Sequence, residues 1–367
     1  MPGQQTWNLI GGGLANCLLA LRLEAEGIPF LLFERSSQLA GNHTWSFHEN
    51  DLDREDLRFL EPLVSHSWNG YDVHFPNYSR HFQSSYFSLR SEDLRAAVQR
   101  QVPAHKIRLN STVEDLTADG LSIDARGFTS QPLFCGWQKF VGWDVVFEAP
   151  HGLKKPVIMD AAVEQRDGYR FIYLLPLDSH TLLVEDTRYS LDPGIDESEF
   201  DSCLCQYIDS RWSSPWVILR KEKAALPIPL RSPSWRGRFG VAGGFFHPVT
   251  GYSLPYALRV SRELIALVQG GQSVADAWWV LHKRHSRHQN YYLALNRMLF
   301  LAAPPDQRWR IFDRFYRLDE GLIQRFYAGQ SSAWDKIRLL SGRPPVRVDS
   351  AIRALLTPTV EQGAAWN

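Results

Sequence analysis

Three consecutive glycines and, far downstream, two adjacent carboxylates are the residues whose types and spacing fit chemistry. Gly11-Gly12-Gly13-Leu14-Ala15-Asn16 reads G-x-G-x-x-small. It follows a strand-like Thr6 to Ile10 and opens a run in which Leu14, Leu18, Leu21 and Ala25 recur at helical spacing until Gly27. In such a turn Gly11 permits the tight bend, Gly13 lets backbone approach a pyrophosphate, and the helix N-terminus offers unpaired N–H groups to its charge. Glu34 stands 21 residues after Gly13, at the end of a second buried strand, where a carboxylate can accept hydrogen bonds from ribose hydroxyls. The same carboxylate disfavours a 2′-phosphate, so NADP does not suit this turn. Asn16 replaces the third glycine, which puts the closest helix–strand packing in doubt. The plain alternative is a tight turn in an α/β protein that binds nothing.

Glu185 and Asp186 lie in Thr181 to Tyr189, one of three strand-like runs with Val157 to Val163 and Tyr169 to Leu175. Strand periodicity sends Leu183, Glu185 and Thr187 one way and Leu182, Val184 and Asp186 the other. Only one of the two carboxylates can point straight into a given cavity. Against apolar walls a glutamate stays protonated at neutral pH, because desolvation disfavours its charged form. A solvated strand edge is the other reading. A second glycine segment, Gly240 to Pro255, reads as a strand, a Gly/Pro-rich loop and a helix, and could bring the amides of Gly243 and Gly244 to a phosphate and to the ring end of a flavin.

The elements that must position these residues form an α/β pattern. A hairpin between about Tyr71 and Leu89 precedes a helix from Ser91, a β-rich stretch runs from Ile107 to Asp124, and amphipathic helices follow Leu254 and Ser273. Approximate boundaries are a discontinuous cofactor domain over 1–70, 91–150 and 235–270, an antiparallel-sheet substrate domain over 71–90 and 151–234, and a helical region over 271–367. The net charge is zero, with 40 basic and 40 acidic residues, so no global field recruits nucleic acid. Four cysteines form neither a disulfide framework nor a metal spacing, which points to a reducing, cytoplasmic setting and to no metal. No apolar run approaches the ~18 residues of a spanning helix.

These segments, together with Gly41 to Phe47, Pro156 to Ala161, Gly168 to Phe171, Leu182 to Thr187, Ala225 to Ile228, His247 to Pro255, Leu295 to Phe300 and Arg325 to Gly329, resemble the bacterial lycopene β-cyclase family through nearly the whole chain. Departures are a shorter stretch around Ala125 to Trp137 and Cys17 in place of a usual glycine. The resemblance implies a flavoprotein-hydroxylase-like fold, with a Rossmann-type FAD-binding domain interwoven with an antiparallel-sheet substrate domain and C-terminal helices. It implies redox-neutral cyclisation of the ψ-ends of lycopene, via γ-carotene to β-carotene, with reduced FAD that is not consumed and NADPH or another donor as its reductant.

For the site, the resemblance implies Glu185 as acid/base with Asp186 as a supporting partner. FAD contacts are expected from Gly11, Gly13, Leu14, Ala15, Asn16, Glu34, Arg90, Val113, Asp124, Gly243, Gly244, His247, Pro248 and Gly251. Trp45, Trp137, Tyr169, Tyr173 and Tyr252 are candidates to line a polyene tunnel. Lys283, Arg284, Arg287, Arg297 and Arg308, among Trp278, Trp279, Tyr291, Tyr292 and Trp309, suit peripheral contact with the inner face of the cytoplasmic membrane, where acyclic carotenoids dissolve and other carotenoid enzymes can associate. The rival readings are an FAD-dependent monooxygenase or polyprenyl reductase, and a prenyl- or lipid-binding protein on the same fold.

Overall fold

The computed structural model describes residues 5–113, 121–128, 134–231, 237–341 and 347–356. In chain order, β1 (Trp7–Ile10), α1 (Leu14–Ala25) and β2 (Phe30–Phe33) open the fold, followed by β3 (Thr44–His48), α2 (Arg54–Leu60), β4 (His66–Trp68), β5 (Tyr71–Phe75), β6 (Tyr78–Phe82) and β7 (Tyr86–Arg90). Next come α3 (Ser91–Gln101), β8 (Ile107–Arg108), β9 (Leu121–Asp124), β10 (Cys135–Phe147), β11 (Val157–Asp160), β12 (Tyr169–Pro176), β13 (Thr181–Ser190), α4 (Glu197–Arg211) and β14 (Trp216–Pro229). The C-terminal part is helical: α5 (Leu254–Gln269), α6 (Val274–Arg297), α7 (Trp309–Tyr316), α8 (Glu320–Tyr327), α9 (Ala333–Leu340) and α10 (Val348–Leu356).

Three sheets organise these elements. The first, ordered β8-β2-β1-β9, is parallel, as a strand–helix–strand crossover requires. Its strands are too short and apolar to show alternation, and α1 with α5 covers one face in a shared core. The second runs β14-β10-β13-β12-β11-β5-β6, antiparallel except where β11 meets β5. The third sheet is small and ordered β3-β7-β4.

The predicted hairpin and the helix at Ser91 are present, and in the turn between β12 and β13 the Asp178 carboxylate accepts from the amides of His180 and Thr181 at 2.7 Å each. Two long strands, β10 and β14, were not anticipated. The expected strand at Gly240 is instead a single 3-10 turn, Val241–Gly243, entered with Gly240 at φ 68°. The middle of the expected Ile107 to Asp124 β stretch lies outside the described residues. The expected helix after Ser273 is capped by that side chain and runs 24 residues, to Arg297.

Alternation along β13 gives the big sheet two different faces. Leu183 and Tyr189 join one core with the C-terminal helices, while Leu182 and Val184 join another under α4. The carboxylates at 185 and 186 therefore enter different environments.

Candidate active site

One cavity of about 1510 Å³ runs from the Gly11–Gly13 turn, past the open face of β13, to the C-terminal helices. Drug-sized ligands fill roughly 300–1,000 Å³. This volume suits a dinucleotide and an apolar substrate together.

At one end the glycine turn is held from three sides. Gly11 adopts φ 93°, and a side chain there would strike the backbone of Ala125 and Arg126 at 2.9–3.0 Å. Gly12, which sequence reasoning did not single out, has no room either: its Cβ would lie 2.4 Å from Leu39. At Gly13 an added Cβ would have no neighbour within 4 Å, so this backbone faces open cavity at the head of α1. Glu34 lines the same space, its carboxylate accepting from the Gly12 amide at 2.7 Å and from the Ser36 amide at 2.8 Å. Leu14, Ala15, Val113 and Gly251 also line the cavity, as expected from the sequence.

Midway along, Glu185 and Thr187 enter the wall from β13. The Thr187 hydroxyl donates to Glu185 Oε1 at 2.5 Å. Phe140, Phe171, Ile158, Met159 and Leu226 supply apolar walls around this stretch. Burial first, and the nearby Glu222 carboxylate second, push the Glu185 carboxyl up to about 8. Glu185 is therefore a protonated acid at neutral pH, facing a cavity with apolar walls.

Of the five aromatic candidates, Trp45, Tyr173 and Tyr252 line the cavity; Trp137 and Tyr169 pack outside it. The hydroxyls of Tyr173 and Tyr252 are spoken for: Tyr173 donates to Ser46 at 2.7 Å, and Tyr86 bonds both Tyr252 at 2.7 Å and Tyr173 at 2.9 Å. Burial holds the Tyr173 and Tyr252 phenols well above their ordinary range, so they present neutral rings.

With this geometry in view, the family model described as lycopene cyclase protein matches residues 8–353. The chain belongs to the lycopene cyclase family. It is 40% identical over 372 residues to the lycopene beta-cyclase of Pantoea ananas, covering 95% of this chain and 97% of that one, and 38% identical to the lycopene beta-cyclase of a Paracoccus strain, covering 95% and 96%. Among solved structures, a probable FAD-dependent monooxygenase from Pseudomonas aeruginosa aligns at TM-score 0.59 with 13% identity over 86% of this chain and 100% of that one. A geranylgeranyl bacteriochlorophyll reductase-like protein from Thermoplasma acidophilum aligns at 0.59 with 10% identity over 96% and 99%. The lycopene cyclase chain shares their fold.

Within this family member, several residues expected at the site stand outside the cavity wall. Asn16 is fully buried, and its side-chain amide bridges the carbonyls of Ile10 at 3.1 Å, Gly11 at 3.0 Å and Ile123 at 3.3 Å, tying β1 to β9. Where the third glycine would allow close packing, Asn16 supplies a hydrogen-bonded clasp. Cys17 is also buried and donates to the Gly12 carbonyl at 3.2 Å, steadying the turn. Arg90 is neutralised by Asp144 at 2.6 Å and Glu92 at 2.8 Å. Asp124 is clasped by Arg126, and it is Arg126 that reaches the cavity.

The second glycine segment is displaced in the same way. Gly240, Val241 and Ala242 line the cavity rather than Gly243 and Gly244, whose amides bond the Gly240 and Val241 carbonyls within the turn at 3.1 and 3.0 Å. His247 is fully buried: Nε2 donates to the Phe326 carbonyl at 2.9 Å, and Nδ1 accepts from the amides of Val249 and Thr250 at 3.2 Å each. Burial pushes this imidazole down to about 3, so it is a neutral structural brace. Pro248 accepts from Asn296 at 2.9 Å.

Asp186 is the largest correction. It points away from Glu185 into the opposite face, where Arg170 at 2.8 Å and Arg188 at 3.2 Å pair with it. The basic and aromatic residues expected at a membrane, from Trp278 to Trp309, do not form one exposed face either. Arg308, Trp278 and Tyr292 are buried, and Arg284 pairs with Glu263. Exposed apolar side chains gather instead on α9 and α10: Trp334, Ile337, Leu340, Ile352, Leu355 and Leu356.

Proposed function

We propose that this member of the lycopene cyclase family closes the ψ-ends of lycopene and related acyclic carotenoids into β-ionone rings without net redox change, with Glu185 as the acid. The observation that carries this reading is a carboxyl held protonated at neutral pH on the apolar wall of a cavity large enough for cofactor and polyene together.

The chemistry follows from that placement. The Glu185 carboxyl gives its proton to the terminal alkene, forming a C–H bond and a tertiary carbocation. The next double bond attacks that carbon, and the ring closes. A proton then leaves the ring carbon, and the carboxylate created in the first step is positioned to take it back, so atoms and electrons balance with no external reagent. The rings of Tyr173, Tyr252 and Trp45 offer π faces to the cation. Apolar walls exclude the water that would trap it.

The far end of the cavity fits FAD on two observations: the open approach at Gly13 and the Glu34 carboxylate beside the turn. Gly11, Gly13, Leu14 and Ala15 would hold the pyrophosphate, Glu34 a ribose, Val113 the adenine side and Gly251 the ring end. When bound and reduced by NADPH or another donor, FAD would supply negative charge near the cation. Substrate access is consistent with the apolar rim: Leu340, Ile352 and Leu355 line the cavity while exposing part of their surface, and Trp334 beside them is 71% exposed. No helix among the described residues is long and apolar enough to cross a membrane, so we infer peripheral docking of α9 and α10 on the inner face of the cytoplasmic membrane.

The test is anaerobic incubation of the protein with lycopene and chemically reduced FAD, without NADPH, followed by pigment analysis. β-Ring product is expected. Ring formation that instead requires one NAD(P)H per ring would favour a reductase or monooxygenase.

A further inference from the structure

Gly142 on β10 lies opposite Glu185 of β13 on one side and opposite Glu222 of β14 on the other. A Cβ at Gly142 would come within 3.3 Å of Glu222 Cγ and 3.4 Å of Glu185 Cβ and Cγ. Two carboxyl side chains thus lean into one hole from opposite sides, and only a glycine between them leaves that hole open. Their other partners differ. Glu222 accepts from Arg220 Nη2 at 2.9 Å and from the Thr44 hydroxyl at 3.4 Å, whereas Glu185 accepts from the neutral Thr187 hydroxyl. Glu222 is buried and does not line the cavity, so any part it plays runs through Glu185.

Two carboxyls flanking one residue in a low-dielectric site resist ionising together near neutral pH, and charge settles on the member beside a cation. We propose that Glu222 is a positioning residue that acts on Glu185 across Gly142, keeping the negative charge on its own Arg220-paired carboxylate and favouring the proton on the cavity-facing Glu185. Burial pushes both carboxyls up, Glu222 to about 7 and Glu185 to about 8, and the Glu222 charge adds to the rise at Glu185. The other groups around them do not replace this coupling. Tyr173 on β12 faces Glu185 as a neutral phenol. Asp144 on β10 is paired with Arg90, and His43 beside Arg220 is held neutral by burial and that guanidinium. Asp186 points into the opposite face with its arginines.

The inference rests on Glu185 being the acid, and the pH profile of kcat for lycopene cyclisation tests it on the FAD-loaded enzyme. In Glu222→Gln the like charge is gone, Glu185 ionises more readily, and the alkaline limb should move down by about one pH unit, with KM for lycopene and bound-flavin absorbance unchanged. Glu222→Asp keeps the charge but withdraws it by one methylene, so a smaller shift in the same direction is expected; it carries the test if the glutamine variant does not fold. An unshifted limb in the variant measured overturns the influence of Glu222 on Glu185. A Glu185→Gln enzyme that still cyclises would remove the acid itself; an inactive Glu185→Gln with an unshifted Glu222 limb removes only the pairing.

Discussion

Two carboxylates one residue apart on β13 have opposite fates. Glu185 faces a cavity with a hydroxyl and a like charge for company, and it is held neutral. Asp186 faces the α4 side with two guanidiniums and knits strands to helix, since Arg188 also reaches Glu199 on α4 at 3.0 Å. Asp186 is fully buried and Glu185 is half-buried on the cavity wall, and burial alone does not decide a carboxylate's role. What decides it is whether the sheet face beyond it provides a cation.

The largest effect that sharpens this contrast is at Glu185. Glu185→Gln keeps shape and loses the acid, and cyclisation per flavin-loaded molecule should fall on the order of 10²–10⁴-fold, with the melting temperature not lowered; pigment accumulation in lycopene-producing cells reads this directly. Asp186→Asn should do the reverse. Leaving Arg170 buried without its counter-charge, and Arg188 with Glu199 alone, costs about 3–5 kcal/mol, measurable as a lower denaturation midpoint, while the molecules that remain folded turn over at the wild-type rate. Wild-type stability with lost activity in Asp186→Asn would break the comparison.

A third effect is a matter of pH. The Glu185 carboxyl rises from 4.5 unfolded to about 8 folded, so the protonated form is favoured by folding. Its contribution to stability is complete below about pH 4.5 and is lost as pH rises through about 8, and denaturation midpoints in Glu185→Gln should lack that decline. The smallest effect is at Thr187. Its hydroxyl favours the ionised carboxylate, so Thr187→Val should move the alkaline limb of kcat upward, by up to about one unit if the bond is worth about 1.5 kcal/mol.

Much of this contrast was legible in the sequence because it is local. Period-two alternation from Leu182 to Tyr189 separates 185 from 186 without any tertiary knowledge, and the glycine turn with Glu34 needs only a strand, a bend and a helix. The residues that were misplaced depend on distant partners. Arg90 looked free for a phosphate until Asp144, from another sheet, neutralised it. Gly243 and Gly244 looked open, but a Cβ at Gly243 would lie 2.1 Å from the Arg238 carbonyl, so the chain curls there and offers Gly240 to Ala242 instead. Glu222 was missed because Arg220-Lys221-Glu222-Lys223 reads as an ordinary solvated run, and only the register of β14 on β10 brings it beside Glu185.

The most direct measurement is the infrared carboxyl spectrum of the folded protein at pH 7, taken as wild type minus Glu185→Gln. The account predicts a protonated-carboxyl carbonyl band in that difference that titrates away with a midpoint near 8, and none of comparable size in wild type minus Asp186→Asn. An ionised-carboxylate band in the Glu185 difference at pH 7 would contradict it.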